Sequence, residues 1–354
     1  MNHILFLLVL ILAAFASVSI AQNIRPIRDN VGFCWRADEM DKLINWLDEN
    51  VDGNENPVRQ NLVAGFSPHD DYLYAAKVYY PLYKMIKTKE VVIFGVTHGT
   101  VRRAMNDPQN VLILDDYDLW QGPYGNVEIS PLREIIKSKL DTNYFMVSDK
   151  AQSIEHSIEA LIPFLQHYNR NIKITPIMIT RMPYDRMEKI SDDLSQIIED
   201  YIKANNLKLG EDIFFLISND ANHYGKDFDN APYGTDEEAH RKATENDRRI
   251  ARESFNGQIT EARIKNITNE LWTEVTNKDV SPLWCGRYPT VFGLLTINKI
   301  VKNITHKNLE GKVLKYSDTW TEGVIPLKGT HMGTTVPFSL EHWVGFVSAA
   351  FWVE

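Results

Sequence analysis

A layered α/β fold with a mostly parallel central sheet is what this 354-residue sequence predicts, on three observations. Short apolar runs alternate with stretches of helical periodicity from residue 62 to residue 301, the pattern of βα units. Three of those runs, at 62–66, 91–96 and 214–217, stop abruptly in polar residues that include a histidine. A hydrophobic content of 44% is ample for a substantial core. The unbroken alternation favours one three-layer sandwich, spanning residues 22–354, over two smaller domains.

Residues 4–21 form an apolar block with Ser19 and Ala21 placed like the small residues of a signal-peptidase site. Residues 1–21 are therefore expected to be a cleaved signal peptide, giving a mature start at Gln22 and an exported protein, periplasmic or secreted. The alternative is retention of residues 4–21 as a membrane anchor. No stable membrane insertion is expected after cleavage. A formal charge of -9 and a pI near 5.6 leave no basic footprint for nucleic acid, so small molecules or peptides are the expected ligands.

Taken in order, residues 41–47 read as an amphipathic helix and 50–61 as a polar loop. The run at 62–66 ends at Ser67-Pro68, because proline cannot donate to a sheet ladder and keeps its predecessor out of the helical region. His69 then falls just past the strand's carboxyl end, where open α/β sheets bind ligands. Helical spacing over 74–86 leads to the strand at 91–96 and to His98. Residues 99–128, with one apolar run at 111–114, read as rim loops and edge structure. Helices are expected at 131–140 and from 153 through 166, where Pro163 either kinks the helix or marks its true start. A β-branched, alternating strand follows at 171–180, a strongly periodic helix at 185–204, and a strand at 212–218. The charges at 237–255 interleave like a solvated helix face. A helix at 262–275 is followed by an interruption at 284–289 before the apolar stretch 291–301, and 343–353 is a buried terminal strand.

His69, His98 and His223 all follow apolar strands of one presumed sheet, which puts them on one edge within reach of a single ion, and imidazole is the commonest metal ligand. Asp220 stands three residues before His223; it either orients that imidazole for proton transfer or caps a short helix. Glu155-His156 reads as a helix start, where the dipole would hold His156 neutral. Cys285 beside Gly286 and Arg287 is a soft metal ligand, a redox thiol, or half of a disulfide with Cys34, the only other cysteine. Arg287 either binds a substrate anion or pairs with a surface carboxylate. No Walker loop, Rossmann fingerprint, HExxH or Gly-x-Ser-x-Gly elbow is present. Two Asn-Ile-Thr sequons, at Asn266 and Asn303, matter only in a glycosylating host.

The blocks Ser67-Pro68-His69 with Tyr72, Gly95 with Thr97-His98, Glu155-His156-Ser157-Ile158-Glu159, Ser218 with Asp220, His223-Tyr224-Gly225, and Cys285-Gly286-Arg287 with Pro289 run across nearly the whole mature chain. Together they resemble the Memo-like proteins, known also as protein B of the AmmeMemoRadiSam system. The resemblance implies a fold like that of class III extradiol dioxygenases, which hold non-haem iron through two histidines and a carboxylate. It implies a pocket with two histidines and a cysteine, matching His69, His98 and Cys285, with copper or iron as the metal and a redox role. Asp220 and His223 match further pocket residues, His156 matches a neighbour of the dioxygenase base, and Trp35 matches a pocket tryptophan; Asp220, His223 and His156 are the expected catalytic residues. Trp35, Arg287, Asp70 and Tyr72 are the expected substrate contacts. The chain departs from the family at Asp70-Asp71, where a small Ala-Gly pair is usual, and at Gly99 after His98. A Cys34–Cys285 disulfide would remove the sulfur ligand.

Three functions follow as expectations. The first is a metal-dependent redox protein or oxidoreductase. The second is a non-catalytic module using the same pocket for a peptide or small ligand. The third is a metal-dependent hydrolase built on Asp70, Asp71, Asp220 and the histidines, preferring zinc and leaving Cys285 dispensable.

Overall fold

The computed structural model describes residues 22–51, 61–272 and 282–354. The apolar block at 4–21 and the mature start expected from it lie at or outside that boundary. No helix among the described residues is long and apolar enough to cross a membrane.

The strands in chain order are β1 (Ile24–Arg25), β2 (Leu62–Ser67), β3 (Glu90–Val96), β4 (Leu112–Leu114), β5 (Leu119–Trp120), β6 (Val127–Ile129), β7 (Phe145–Val147), β8 (Lys173–Ile179), β9 (Ile213–Ser218), β10 (His223–Gly225), β11 (Gly257–Gln258), β12 (Leu309–Asp318) and β13 (His342–Val353). They join into one sheet in the order β1-β5-β6-β8-β3-β9-β2-β13-β12-β11, with β4 attached to β8, β7 to β4, and β10 to β13. The centre, β8-β3-β9-β2, is parallel throughout. β13 runs antiparallel to both β2 and β12.

Helices cover both faces, which is why the central strands read as continuous apolar runs. Alternation along them still sorts side chains between two cores. Val92 and Phe94 of β3, with Phe215 and Ile217 of β9, meet Ile190 and Leu194 of the helix Tyr184–Ala204 and Leu295 of the helix Arg287–Thr305. Val91, Ile93, Phe214 and Leu216 point to the opposite core, with Leu43 of the helix Ala37–Asn50, Tyr79 of the helix Tyr72–Tyr83 and Phe164 of the helix Ile162–Tyr168. This is the three-layer arrangement read from the sequence.

Register positions the functional edge. Ser67 pairs with Ser218, while Phe94 pairs with the same Ile217 that faces Phe66 on the other side. The carboxyl ends of β2, β3 and β9 are thus level, and the residues that follow them share one rim.

Several sequence expectations change. The stretch at 153–166 is not one helix: Asp149–Ile154 ends before Glu155, and Pro163 sits in the first turn of Ile162–Tyr168, where its missing N–H is not needed. Pro289 likewise falls inside the first turn of Arg287–Thr305, so 284–289 is the entry to that helix. The rim at 99–128 contains a short helix, Gly99–Ala104, as well as β4, β5 and β6. Asp220 caps no helix, because His223 opens β10, which pairs with Val344 of β13.

Candidate metal centre

His69, 1% exposed, lies immediately beyond β2 with its Nδ1 2.8 Å from Ser218 Oγ. The Ser218 hydroxyl donates its own hydrogen to the Ser157 carbonyl at 2.6 Å. It must therefore accept from His69, which fixes the Nδ1–H tautomer and leaves Nε2 with a free lone pair. That nitrogen lies 3.3 Å from Cys285 Sγ. Burial holds the His69 imidazole well below its ordinary pKa, with the neighbouring histidines adding to the effect, so the ring is neutral and able to bind a metal.

His98, at the end of β3, is oriented in the same sense by a different group. Its Nδ1 lies 2.7 Å from Glu155 Oε1, and its backbone N–H donates to Oε2 at 2.9 Å. Glu155 also accepts the backbone N–H groups of His156 and Ser157 at 2.8 and 2.9 Å. Burial alone would push this carboxyl up, but the His98 imidazole and these donors outweigh it and hold it well below the carboxylate range. A carboxylate that takes the outer N–H of a ligating histidine raises the basicity of the inner nitrogen. His156 stacks on His98 with ring centroids 4.5 Å apart and is lowered to about 3, chiefly by burial.

Asp220 follows β9, but it serves His69 rather than His223. Its Oδ1 accepts the His69 backbone N–H at 2.9 Å and its Oδ2 lies 3.3 Å from His69 Nε2. Burial, with Asp70 and Asp71 adding charge repulsion, pushes its carboxyl well up. His223 instead directs Nδ1 to the Ala221 carbonyl at 3.2 Å, and burial lowers its pKa to about 4. The expectation that Asp220 orients His223 is corrected on this point. The two still lie near each other, because one ligand atom from each falls with Cys285 Sγ in a group within 4.8 Å.

Cys285 is a free thiol, as is Cys34, so the two form no disulfide. Cys34 is buried in the core that also holds Phe33, Leu43 and Tyr72. Burial and the nearby Asp220 push the Cys285 thiol well up, so ionising it needs a compensating cation. The donor set fits a metal on that ground and on geometry. His69, His98 and Cys285 each offer one ligand atom, all within 4.8 Å of one another. A tetrahedral ion bound by sulfur and imidazole separates those two atoms by about 3.5 Å, close to the 3.3 Å between Cys285 and His69.

The centre opens into a pocket of about 460 Å³ whose lining includes Phe33, Tyr74, Phe228, Phe338, Arg28, Asp29, Asp70 and Asp71, as well as His69, His98, His156, Asp220 and His223. Asp70 is thus on the wall. Tyr72 is not: it is fully buried, and its hydroxyl donates to the Ala160 carbonyl at 2.5 Å. Arg287 sends Nη1 to the Trp284 carbonyl at 3.1 Å, and Trp35 donates Nε1–H to the Asp29 carbonyl at 2.5 Å; neither lines the pocket. Asp71, whose carboxylate takes the Thr335 N–H and hydroxyl, anchors the segment that supplies Phe338.

Sequence reasoning missed Glu155 as the group that orients His98, Ser218 as the acceptor for His69, and the aromatic wall. Ser218 and Glu155 stand in quoted blocks, but nothing in a linear sequence says which histidine each one faces.

Two histidines and a cysteine at the carboxyl edge of a mixed sheet covered on both faces define a dioxygenase-like α/β protein with a candidate metal-binding pocket. The family model for Memo-like proteins matches residues 32–324, and the chain belongs to that family. Similar curated proteins are MEMO1 family proteins. That of Aquifex aeolicus is 34% identical over 160 residues, 44% of this chain and 52% of its own length. That of Saccharolobus solfataricus is 27% identical over 241 residues, 66% and 71% of the two chains. That of Caldivirga maquilingensis is 28% identical over 301 residues, 83% and 84%. The match thus spans about half the length of the Aquifex relative and most of the Caldivirga one.

Proposed function

We propose that this protein is a metal-dependent redox protein that holds copper or iron through Nε2 of His69, Nε2 of His98 and Sγ of Cys285. The observation that carries the reading is the double tautomer lock. Ser218 and Glu155 occupy the outer nitrogens, so both imidazoles present bare inner nitrogens near the thiol. Two imidazoles with one thiolate suit copper, and the resemblance to a fold that holds non-haem iron keeps iron as the other candidate.

When bound, the ion would supply one-electron chemistry at the base of the pocket. The chain's own residues do the rest. His223 keeps Nδ1 on the Ala221 carbonyl, which leaves Nε2 to take or return a proton. Phe33, Tyr74, Phe228 and Phe338 keep water from the ligand and fit an organic molecule of modest size. The hydrolase reading gains no support, since among the described residues neither Asp70 nor Asp71 joins a metal-competent group. The binding-module reading uses the same pocket without an ion, and metal content separates the two. Elemental analysis of purified protein should give near-stoichiometric copper or iron, lost in a His69→Ala, His98→Ala double variant. Unchanged metal in that variant rules the site out, and folded, metal-free wild type that binds a ligand favours the module.

A further inference from the structure

Asp247 is a fully buried carboxylate in the helix Glu237–Phe255, outside the metal pocket. The groups around it are hydrogen-bond donors and a second carboxylate, Asp318. Burying a carboxylate this way is costly unless donors satisfy it. Its donors come from three different segments: Trp284 Nε1–H at 2.9 Å, the Tyr316 hydroxyl at 2.9 Å and the Asn222 backbone N–H at 3.3 Å.

Two of those donors adjoin site residues. Trp284, fully buried, immediately precedes Cys285, and Asn222 lies between Asp220 and His223. The two segments are also zipped directly. Asn222 forms an antiparallel bridge with Trp284, its side-chain Oδ1 accepts the Leu283 N–H at 2.9 Å, and the His223 N–H donates to the Leu283 carbonyl at 3.0 Å. Asp247 clamps this zipper from behind. Space for it comes from Gly345 of β13, where a Cβ would stand 2.9 Å from the Tyr316 hydroxyl and 3.1 Å from Asp247 Oδ2. Gly345 also holds the same loop, donating its N–H to the Asn222 carbonyl at 2.9 Å and accepting from Ala221 at 2.8 Å.

We propose that Asp247 is a positioning residue for the metal centre: by holding Trp284 and Asn222 together it sets where Cys285 stands against His69. The proposal rests on the metal reading above. The third donor, Tyr316, reaches the same carboxylate from β12, adjoins no site residue, and so supplies a control.

The test compares Asp247→Asn, Trp284→Phe and Tyr316→Phe with wild type by cobalt(II) titration, following the thiolate-to-cobalt absorption band, with thermal melting alongside. A second readout uses no metal: the rate at which iodoacetamide labels Cys285, resolved from Cys34 by peptide mass spectrometry. Asp247→Asn and Trp284→Phe should lower cobalt affinity by about 10–100-fold, the range for partners of metal ligands, shift the thiolate band and change the Cys285 labelling rate. Tyr316→Phe should lower the melting temperature while leaving affinity and band in place. Wild-type affinity, band and labelling in Asp247→Asn overturn the proposal. Equal loss of affinity in Tyr316→Phe does so too, since the carboxylate would then act only through general stability. If wild type takes up no cobalt, the metal reading fails, and the labelling rates alone decide whether Asp247 positions Cys285.

Discussion

Replacing Glu155 with glutamine tests how the protein prepares His98. The carboxylate takes four N–H groups: Oε1 those of His98 Nδ1, His156 and Ser157, and Oε2 that of the His98 backbone. Glutamine has one carbonyl oxygen. In its better orientation that oxygen keeps the first three donors, and its amide then faces the His98 backbone N–H, donor against donor. A buried donor left without a partner costs about 1–3 kcal/mol, so the melting temperature should fall by a few degrees. The bond to His98 Nδ1 also passes from a charged acceptor to a neutral one, which makes Nε2 a poorer ligand. Metal affinity should drop by about 10–100-fold, or ~1.4–2.7 kcal/mol. Competitive titration against a chelator measures the affinity and calorimetry the melting. A variant that melts lower yet binds metal as tightly as wild type would refute the reasoning, because Glu155 would then be structural only.

Other outcomes follow from the same geometry. Gly286→Ala should weaken metal binding, since its Cβ would stand 2.4 Å from Asn219 Oδ1 and 2.7 Å from the Asn219 Cα, displacing Cys285; Gly99→Ala, whose nearest neighbours are the ends of Arg103 and Arg102, should bind normally. Burial lowers His223 to about 4 and His156 to about 3, whereas in the unfolded chain both titrate near 6.5. Each of these two imidazoles therefore loses its stabilising contribution on acidification from about pH 6.5 toward about 4, on the order of a few kcal/mol together, while the raised carboxyls of Asp70 and Asp247, both about 7, and of Asp71, about 6, act in the opposite sense over the same range. Melting curves from pH 7 to 4 on wild type and His223→Asn isolate the imidazole: the wild type should lose more stability on acidification than the variant, and parallel profiles count against a neutral, buried His223. Arg25→Met should cost about 3–5 kcal/mol in denaturant unfolding, because it strands the buried Glu159 carboxylate without its guanidinium; a loss under 1 kcal/mol would show the pair to be dispensable. We further propose that residues 1–21 are removed on export, so amino-terminal sequencing of natively produced protein should begin at Gln22, and an intact Met1 would contradict this.

Much of the fold was legible because the central strands carry continuous apolar runs that stop at polar residues. That signal survives without any knowledge of pairing, and it placed His69, His98 and His223 near one rim, where all three line the same pocket. β12 was missed because a register shift between Val313 and Lys315 breaks its alternation and leaves its middle half-buried. Tyr72 was misplaced for a related reason. It stands three residues after His69, but it opens a helix and turns into the core instead of toward the pocket. The pairing of Asp220 with His69 was equally hidden: proximity in sequence pointed to His223, while the level ends of β2 and β9 bring Asp220 to the other histidine. Which side chain meets which across neighbouring strands is set by register, and register is a property of the assembled sheet.

X-ray absorption at the metal edge of the loaded wild-type protein tests the central claim most directly. The account predicts one sulfur neighbour at about 2.3 Å and two imidazole nitrogens at about 2.0 Å, with the sulfur signal absent in Cys285→Ser. A first coordination sphere made only of oxygen and nitrogen, unchanged in that variant, would contradict it.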